Sequence, residues 1–271
     1  MTRNAKDRKG WILIASVVTV LVSLAALGGM KDQSAKRGDD NCRIDKSADN
    51  STVLLFDKSD AISDQAFREM RRRAAHFIRD STATDEQISI YAITNSTRDT
   101  LRELLSLCRP PSSGNRIFEN TALIEKRFSN QFVQVVDSVL ANLPQQSENS
   151  EIAGAISDLS DMAVLRAQNS RLHVFSDLME HSSTFSLYNC DDTTNVVQRY
   201  KRTRAGGRDR PAFRNVKVTL HIIPRLGMPD RNIACRDKLW LWYFGDNAGA
   251  SASLNVNMLP TGSVISRKRS Q

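Results

Sequence analysis

The stretch Thr52-Val53-Leu54-Leu55-Phe56-Asp57-Lys58-Ser59-Asp60 is a short apolar run that stops abruptly at carboxylate and hydroxyl groups. A second run, Leu172-His173-Val174-Phe175, ends the same way at Ser176-Asp177. Runs of this length, apolar throughout and closed by polar turn residues, read as strands buried on both faces. In an open α/β sheet the carboxyl ends of central strands converge on one crevice, so the two endings are expected to share one polar site. Hard oxygen ligands gathered there suit Mg²⁺ or Mn²⁺.

The rest of the chain supports that sheet. After Thr52–Phe56, Ser63 is an N-cap, and Phe67, Met70, Ala74, Phe77 and Ile78 recur at helical spacing, with Arg68, Arg71, Arg72 and Arg73 on the other face. Residues 87–94 form a second strand, and Leu101–Leu107 reads as a short helix before the loop Cys108-Arg109-Pro110-Pro111. A long helix is expected from Asn120 to Leu143, where Pro144 stops it. Ser150 stands as N-cap to a helix reaching about residue 168. Residues 178–215 read as a long irregular stretch. Val216, Val218, Leu220 and Ile222 alternate as in a strand, Asp230–Phe244 is helical, and Leu254–Met258 is a final strand. Strands alternating with helices imply an α/β fold: a doubly wound, mostly parallel sheet flanked by helices.

At Asp57 and Ser59 the sequence resembles the von Willebrand factor A (VWA) family, whose metal-ion-dependent adhesion site (MIDAS) begins Asp-x-Ser-x-Ser after the first strand. The third position falls on Ala61, which has no ligand oxygen. The resemblance spans residues 51–260 and implies a VWA/Rossmann-like domain. It also implies that Ser150 and Asp177 complete the site, with Asp60 or Ser63 as auxiliary ligands in place of Ala61. In that family few carboxylates touch the ion directly, and an acidic side chain of a protein partner completes the coordination. The implied function is recognition without bond breaking, by an adhesion or assembly component rather than an enzyme. A degenerate, metal-free site would leave a structural subunit of a membrane complex.

Two enzymatic readings are weaker. A phosphoryl hydrolase using Asp57 as nucleophile resembles Asp-x-Asp at this point, and here the third residue is Ser59. No Gly-x-Ser-x-Gly elbow is present, and the four histidines lie far apart in sequence. His173 and His221 sit inside strands and read as packed or solvent-facing, and His181, four residues after Asp177, reads as a surface histidine, the rim of the site being the alternative.

The N-terminus sets the location. Residues 1–10 are basic, and residues 11–30 run without a charge. Twenty helical residues span about 30 Å, the thickness of a bilayer's hydrocarbon core. This is a transmembrane anchor or a long signal sequence, with residues 1–10 cytoplasmic, residues 31–50 a polar tether, and the large domain outside the cytoplasm, periplasmic or extracellular. Four cysteines, Cys42, Cys108, Cys190 and Cys235, form no Cys-x-x-Cys pair and permit two disulfides in an exported domain. Three pairings are open, of which Cys42 with Cys108 would staple a loop to the domain's N-terminal edge.

The net charge of +8 is local. Residues 1–10 contribute +3, Arg267-Lys268-Arg269 in the tail (residues 261–271) +3, and residues 199–217 +7, leaving −5 for the rest. A basic loop of Arg199, Lys201, Arg202, Arg204, Arg208 and Arg210, with Tyr200 and Phe213 as stacking rings, has the composition of a nucleic-acid site. Outside the cytoplasm an acidic protein partner, anionic lipid headgroups or a solvated insertion are all simpler, the last being favoured, and nucleic acid is not expected.

Overall fold

Asn50–Phe56 forms strand β1, and every residue after the first is buried. In the computed structural model this strand lies inside a six-stranded sheet of order β3-β2-β1-β4-β5-β6. The structure describes residues 11, 14–23, 36–58, 62–94, 101–114, 119–144, 150–203, 210, 211, 213, 215–225, 227–245 and 254–260. Strands β2 (Gln87–Ile93) and β4 (Asn169–Ser176) flank β1 and run parallel to it. Strands β5 (Val216–Ile222) and β6 (Leu254–Met258) continue the parallel order. Strand β3 (Leu101–Cys108) closes the other edge antiparallel to β2.

Alternation along β1 assigns its side chains to two cores. Leu54 and Phe56 join Ile88 and Ile90 of β2 beneath helix α1 (Asp64–Ser81), which contributes Met70, Ala74 and Ile78. The same core takes Phe132, Val136 and Leu140 from a helical run made of α2 (Thr121–Phe128), a π-helical segment (Ser129–Val133) and α3 (Gln134–Ala141). Val53 and Leu55 face the other way, with Leu172, Val174, Val218 and Leu220. They meet α4 (Ile152–Asp161), α5 (Val196–Thr203) and α6 (Asp230–Gly245). Burial on both faces is why β1 and β4 lack polar alternation.

Several expectations change. Leu101–Leu107 is a strand, not a helix, because its backbone pairs with β2 from Gln87↔Cys108 to Ile93↔Leu101. Tyr91 Oη donates to Glu103 Oε2 at 2.8 Å across that ladder. Pairing outweighs the helix propensity of a Leu-, Arg- and Glu-rich segment. The long helix is present as one unbroken helical run over 121–141 that carries a π-helical segment. Ser150 is not the cap of α4: Glu151 holds the capping position without a side-chain bond, and Glu180 Oε2 accepts from the N–H of Ala153 at 2.9 Å instead. The irregular stretch contains α5.

Both disulfides form, Cys42–Cys108 and Cys190–Cys235. Residues 36–49, read as the end of a tether, are fastened to the sheet edge. Arg37 pairs with Asp85 at 2.5 Å, and the N–H of Cys108 donates to the Asp40 carbonyl at 2.8 Å. Within the apolar N-terminal run residues 14–23 are helical, and Ile14, Val17, Val18 and Leu21 are between 52% and 59% exposed. No helix among the described residues is long and apolar enough to cross a membrane. Residues 1–10, 12, 13, 24–35 and 261–271 lie outside the described residues.

Candidate functional site

The chain builds β1, β2 and β3 outward on one side, then returns to lay β4, β5 and β6 on the other. The order therefore reverses between β1 and β4, where an open α/β sheet has its crevice. Asp57 and Asp177 stand at the two strand ends that border it.

Asp57 is only 3% exposed. Its N–H continues the ladder to the Phe175 carbonyl at 2.9 Å. Its Oδ2 accepts two hydroxyl bonds, from Ser150 Oγ at 2.9 Å and from Ser176 Oγ at 2.7 Å. Ser176 Oγ in turn accepts from the N–H of Leu178 at 2.7 Å. Leu178 sits at φ +61°, a left-handed conformation rare for a large aliphatic residue. That Ser176 bond holds it there, together with the Trp240 indole, which donates to the Leu178 carbonyl at 2.7 Å.

Ser150 reaches Asp57 because a two-way backbone bridge pins it to His181, at 2.8 and 2.9 Å. His181 is therefore tied by its backbone to the site, and the residue is half-buried. Its Nδ1 lies 3.0 Å from Ser186 Oγ. Glu180, fully buried, sits between these features and the first turn of α4, where a carboxylate complements the helix N-terminus.

Asp177 is 7% exposed and turned to a different task. Its Oδ1 accepts from the N–H of Met179 at 2.9 Å. Its Oδ2 lies 3.4 Å from Nη1 of Arg225, which follows β5. Arg225 also donates to the Tyr188 hydroxyl and lies over that ring, 5.0 Å from its centroid.

The structure thus brings Asp57 and Ser150 into direct contact. Ser63 caps α1, accepting from the N–H of Ala66 at 3.2 Å. Ser59, Asp60 and Ala61 lie outside the described residues. Ser176 and Arg225 were not assigned from sequence, though a hydroxyl ending β4 was a signal for the first. For Arg225 the only signal was its place after a third strand end.

Two carboxylates and two hydroxyls are hard donors, and their chemistry fits Mg²⁺ or Mn²⁺. No group of three His, Cys, Asp or Glu able to hold a metal occurs among the described residues. Arg225 adds a positive charge beside Asp177 that a dication would have to face.

His173 and His221 lie on the α1 side of the sheet, with His173 Nδ1 3.1 Å from His221 Nε2. Phe77 and Phe175 pack against them. Burial pushes His173 down to about 3, aided by the charges of His221 and Arg171. Burial also lowers His221 to about 4, with a contribution from Arg73. Both are packed, neutral rings.

The basic segment is not simply a loop. Arg199, Lys201 and Arg202 are on α5, and Tyr200 and Phe213 are buried core rings, 2% and 3% exposed, so neither stacks on a ligand. Lys201 and Arg210 lie over the Trp242 ring at 5.0 and 4.5 Å. Arg204 and Arg208 lie outside the described residues.

No protein-family model matches the sequence, and no curated protein matches it. Solved structures similar to the chain include a VWA domain, a membrane protein and a pilus tip protein, each at low identity. The VWA domain of SpRpn10 is 14% identical with a TM-score of 0.39, over 79% of this chain and 89% of that one. An aerotolerance-related membrane protein from Bacteroides fragilis, bearing mutations to serine, is 9% identical with a TM-score of 0.34, over 76% and 90%. Three N-terminal domains of the type V pili tip protein Mfa5 from Porphyromonas gingivalis give 11% and 0.34, over 55% of this chain and 25% of that one.

Proposed function

We propose that the chain is a membrane-anchored VWA-like domain that binds a protein partner at the crevice between β1 and β4, as an adhesion or assembly component and not as an enzyme. The observation that carries this reading is the convergence of the Ser150 and Ser176 hydroxyls on one oxygen of Asp57 at the point where the strand order reverses. Asp57, Ser59, Ser150 and Asp177 would hold Mg²⁺ or Mn²⁺, with Asp60 or Ser63 as auxiliaries. Bound there, the ion supplies a Lewis-acidic position for a partner's carboxylate. The protein's own groups set the position of that charge: Ser150 through its bridge to His181, and Ser176 through its bond from Leu178. The exposed apolar helical residues 14–23 support anchoring in a bilayer, and two disulfides support an oxidising compartment.

A second reading, a metal-free structural subunit, is favoured by the Arg225–Asp177 pair, which places an internal cation at the site. Melting of the disulfide-intact protein in EDTA and across Mg²⁺ and Mn²⁺ separates the two. Metal at 100 times its dissociation constant adds about 2.7 kcal/mol of stability. The metal reading expects that rise in the wild type and none in Asp57→Ala. No rise at millimolar metal in either protein leaves the metal-free reading.

A further inference from the structure

Helix α1 carries Arg68, Arg71, Arg72 and Arg79, which with Ala75 follow spacings of three, four and seven residues and so share one side of the helix. They line a cleft of about 380 Å³ closed on its other side by Asp137 and Leu140 of α3. Four guanidiniums therefore face a single lining carboxylate. Of the four charges only that of Arg72 is balanced by another described residue. Arg72 shares Glu69 with Arg73, at 2.8 Å each, and those bonds hold the Glu69 carboxyl at about 2. Arg68, Arg71 and Arg79 make no ion pair with any described residue. Arg71 Nε is buried and has no hydrogen-bond partner among the described residues, while its guanidinium lies 5.7 Å from the centroid of the Phe67 ring.

Like charges one helical turn apart repel, and a buried donor without an acceptor is costly. A multivalent anion removes both penalties. Arginine forks match the paired oxygens of a phosphate group, and the cleft lies in the size range of small-ligand sites. We propose that the α1–α3 cleft binds a multivalent phosphate-class oxyanion, either free or as the headgroup of an anionic phospholipid. This site is separate from the β1–β4 crevice and does not depend on the function proposed above.

The test is calorimetric titration of the full chain in nonionic detergent at low salt, with tripolyphosphate, inorganic phosphate and glycerol 3-phosphate as probes. Saturable tripolyphosphate binding is expected, weakened about tenfold or more by Arg68→Gln, Arg71→Gln and Arg79→Gln together, as loss of three charge-assisted contacts requires. Asp137→Asn should tighten it. Without anion, the triple variant should melt no lower than the wild type, which separates lost binding from lost folding. Glycerol 3-phosphate binding tighter than inorganic phosphate would assign a lipid headgroup, and equal binding a free anion. The proposal is overturned if tripolyphosphate does not bind or if the triple variant binds as well as the wild type. An equal loss in an Arg199→Gln, Lys201→Gln control would overturn it too, by showing that general charge alone is responsible.

Discussion

Arg225 reaches across from the end of β5 to place Nη1 3.4 Å from Oδ2 of Asp177, at the end of β4. The pair sets a cation against a carboxylate that the proposed ion also needs. Arg225→Gln should therefore lower the Mn²⁺ midpoint of the melting series by about tenfold, equivalent to about 1.4 kcal/mol. An unchanged midpoint would mean that Asp177 takes no part in binding the ion.

Asp57 is the common acceptor of two buried hydroxyls. Asp57→Ala leaves both without it, and each stranded hydroxyl costs about 1 to 3 kcal/mol. In EDTA, urea unfolding should show a loss of about 2 to 6 kcal/mol, on the same per-group scale. Asp57→Asn, which keeps a carbonyl oxygen, should lose clearly less. Equal losses would show that charge, not hydroxyl acceptance, holds Ser150 and Ser176.

The His173–His221 pair predicts an acid weakness. Both folded values, about 3 and about 4, lie below the roughly 6.5 of an unfolded histidine. Between those limits the unfolded chain binds more protons, so the contribution is fully present above pH 6.5. It declines as pH falls from there toward 4 and then 3. Each histidine contributes up to about 1.4 kcal/mol per pH unit in that window. Replacing both by Asn should flatten the stability profile between pH 6.5 and 4, and a profile as steep as that of the wild type would assign the acid sensitivity to carboxylates.

The two disulfides should differ in kind. Cys190–Cys235 joins the segment before α5 to α6, and replacing both cysteines by Ser should lower global stability by about 2 to 5 kcal/mol. Cys42–Cys108 fastens the edge strand, so its removal should speed hydrogen exchange mainly at β3 amides. Uniform acceleration across the sheet in the second variant would show that the edge and centre unfold together.

The central strands were legible because burial on both faces leaves a continuous apolar run, as in Val53–Phe56, and because Asp57 and Asp177 stand where such runs stop. The edge was not. Leu101–Cys108 is spaced ambiguously between strand and helix, and its partner β2 decides the matter through contacts no local window contains. The family resemblance set Ser150 beside Asp57, and the two do meet, but its role as cap was wrong because Glu180, 27 residues away from Ala153, supplies that bond. Arg225 is the hardest case: nothing around it marks it until β5 brings it beside Asp177.

The Cys42–Cys108 bond also decides how a pull is borne. Tension arriving along the chain ahead of residue 36 meets Arg37, its bond to Asp85, and the crosslink to β3 before it reaches β1. The load enters at the rim of the sheet, and the strand that carries Asp57 is spared peeling. A crevice gripping a partner would keep its shape under traction for as long as that sulfur bridge stayed oxidised.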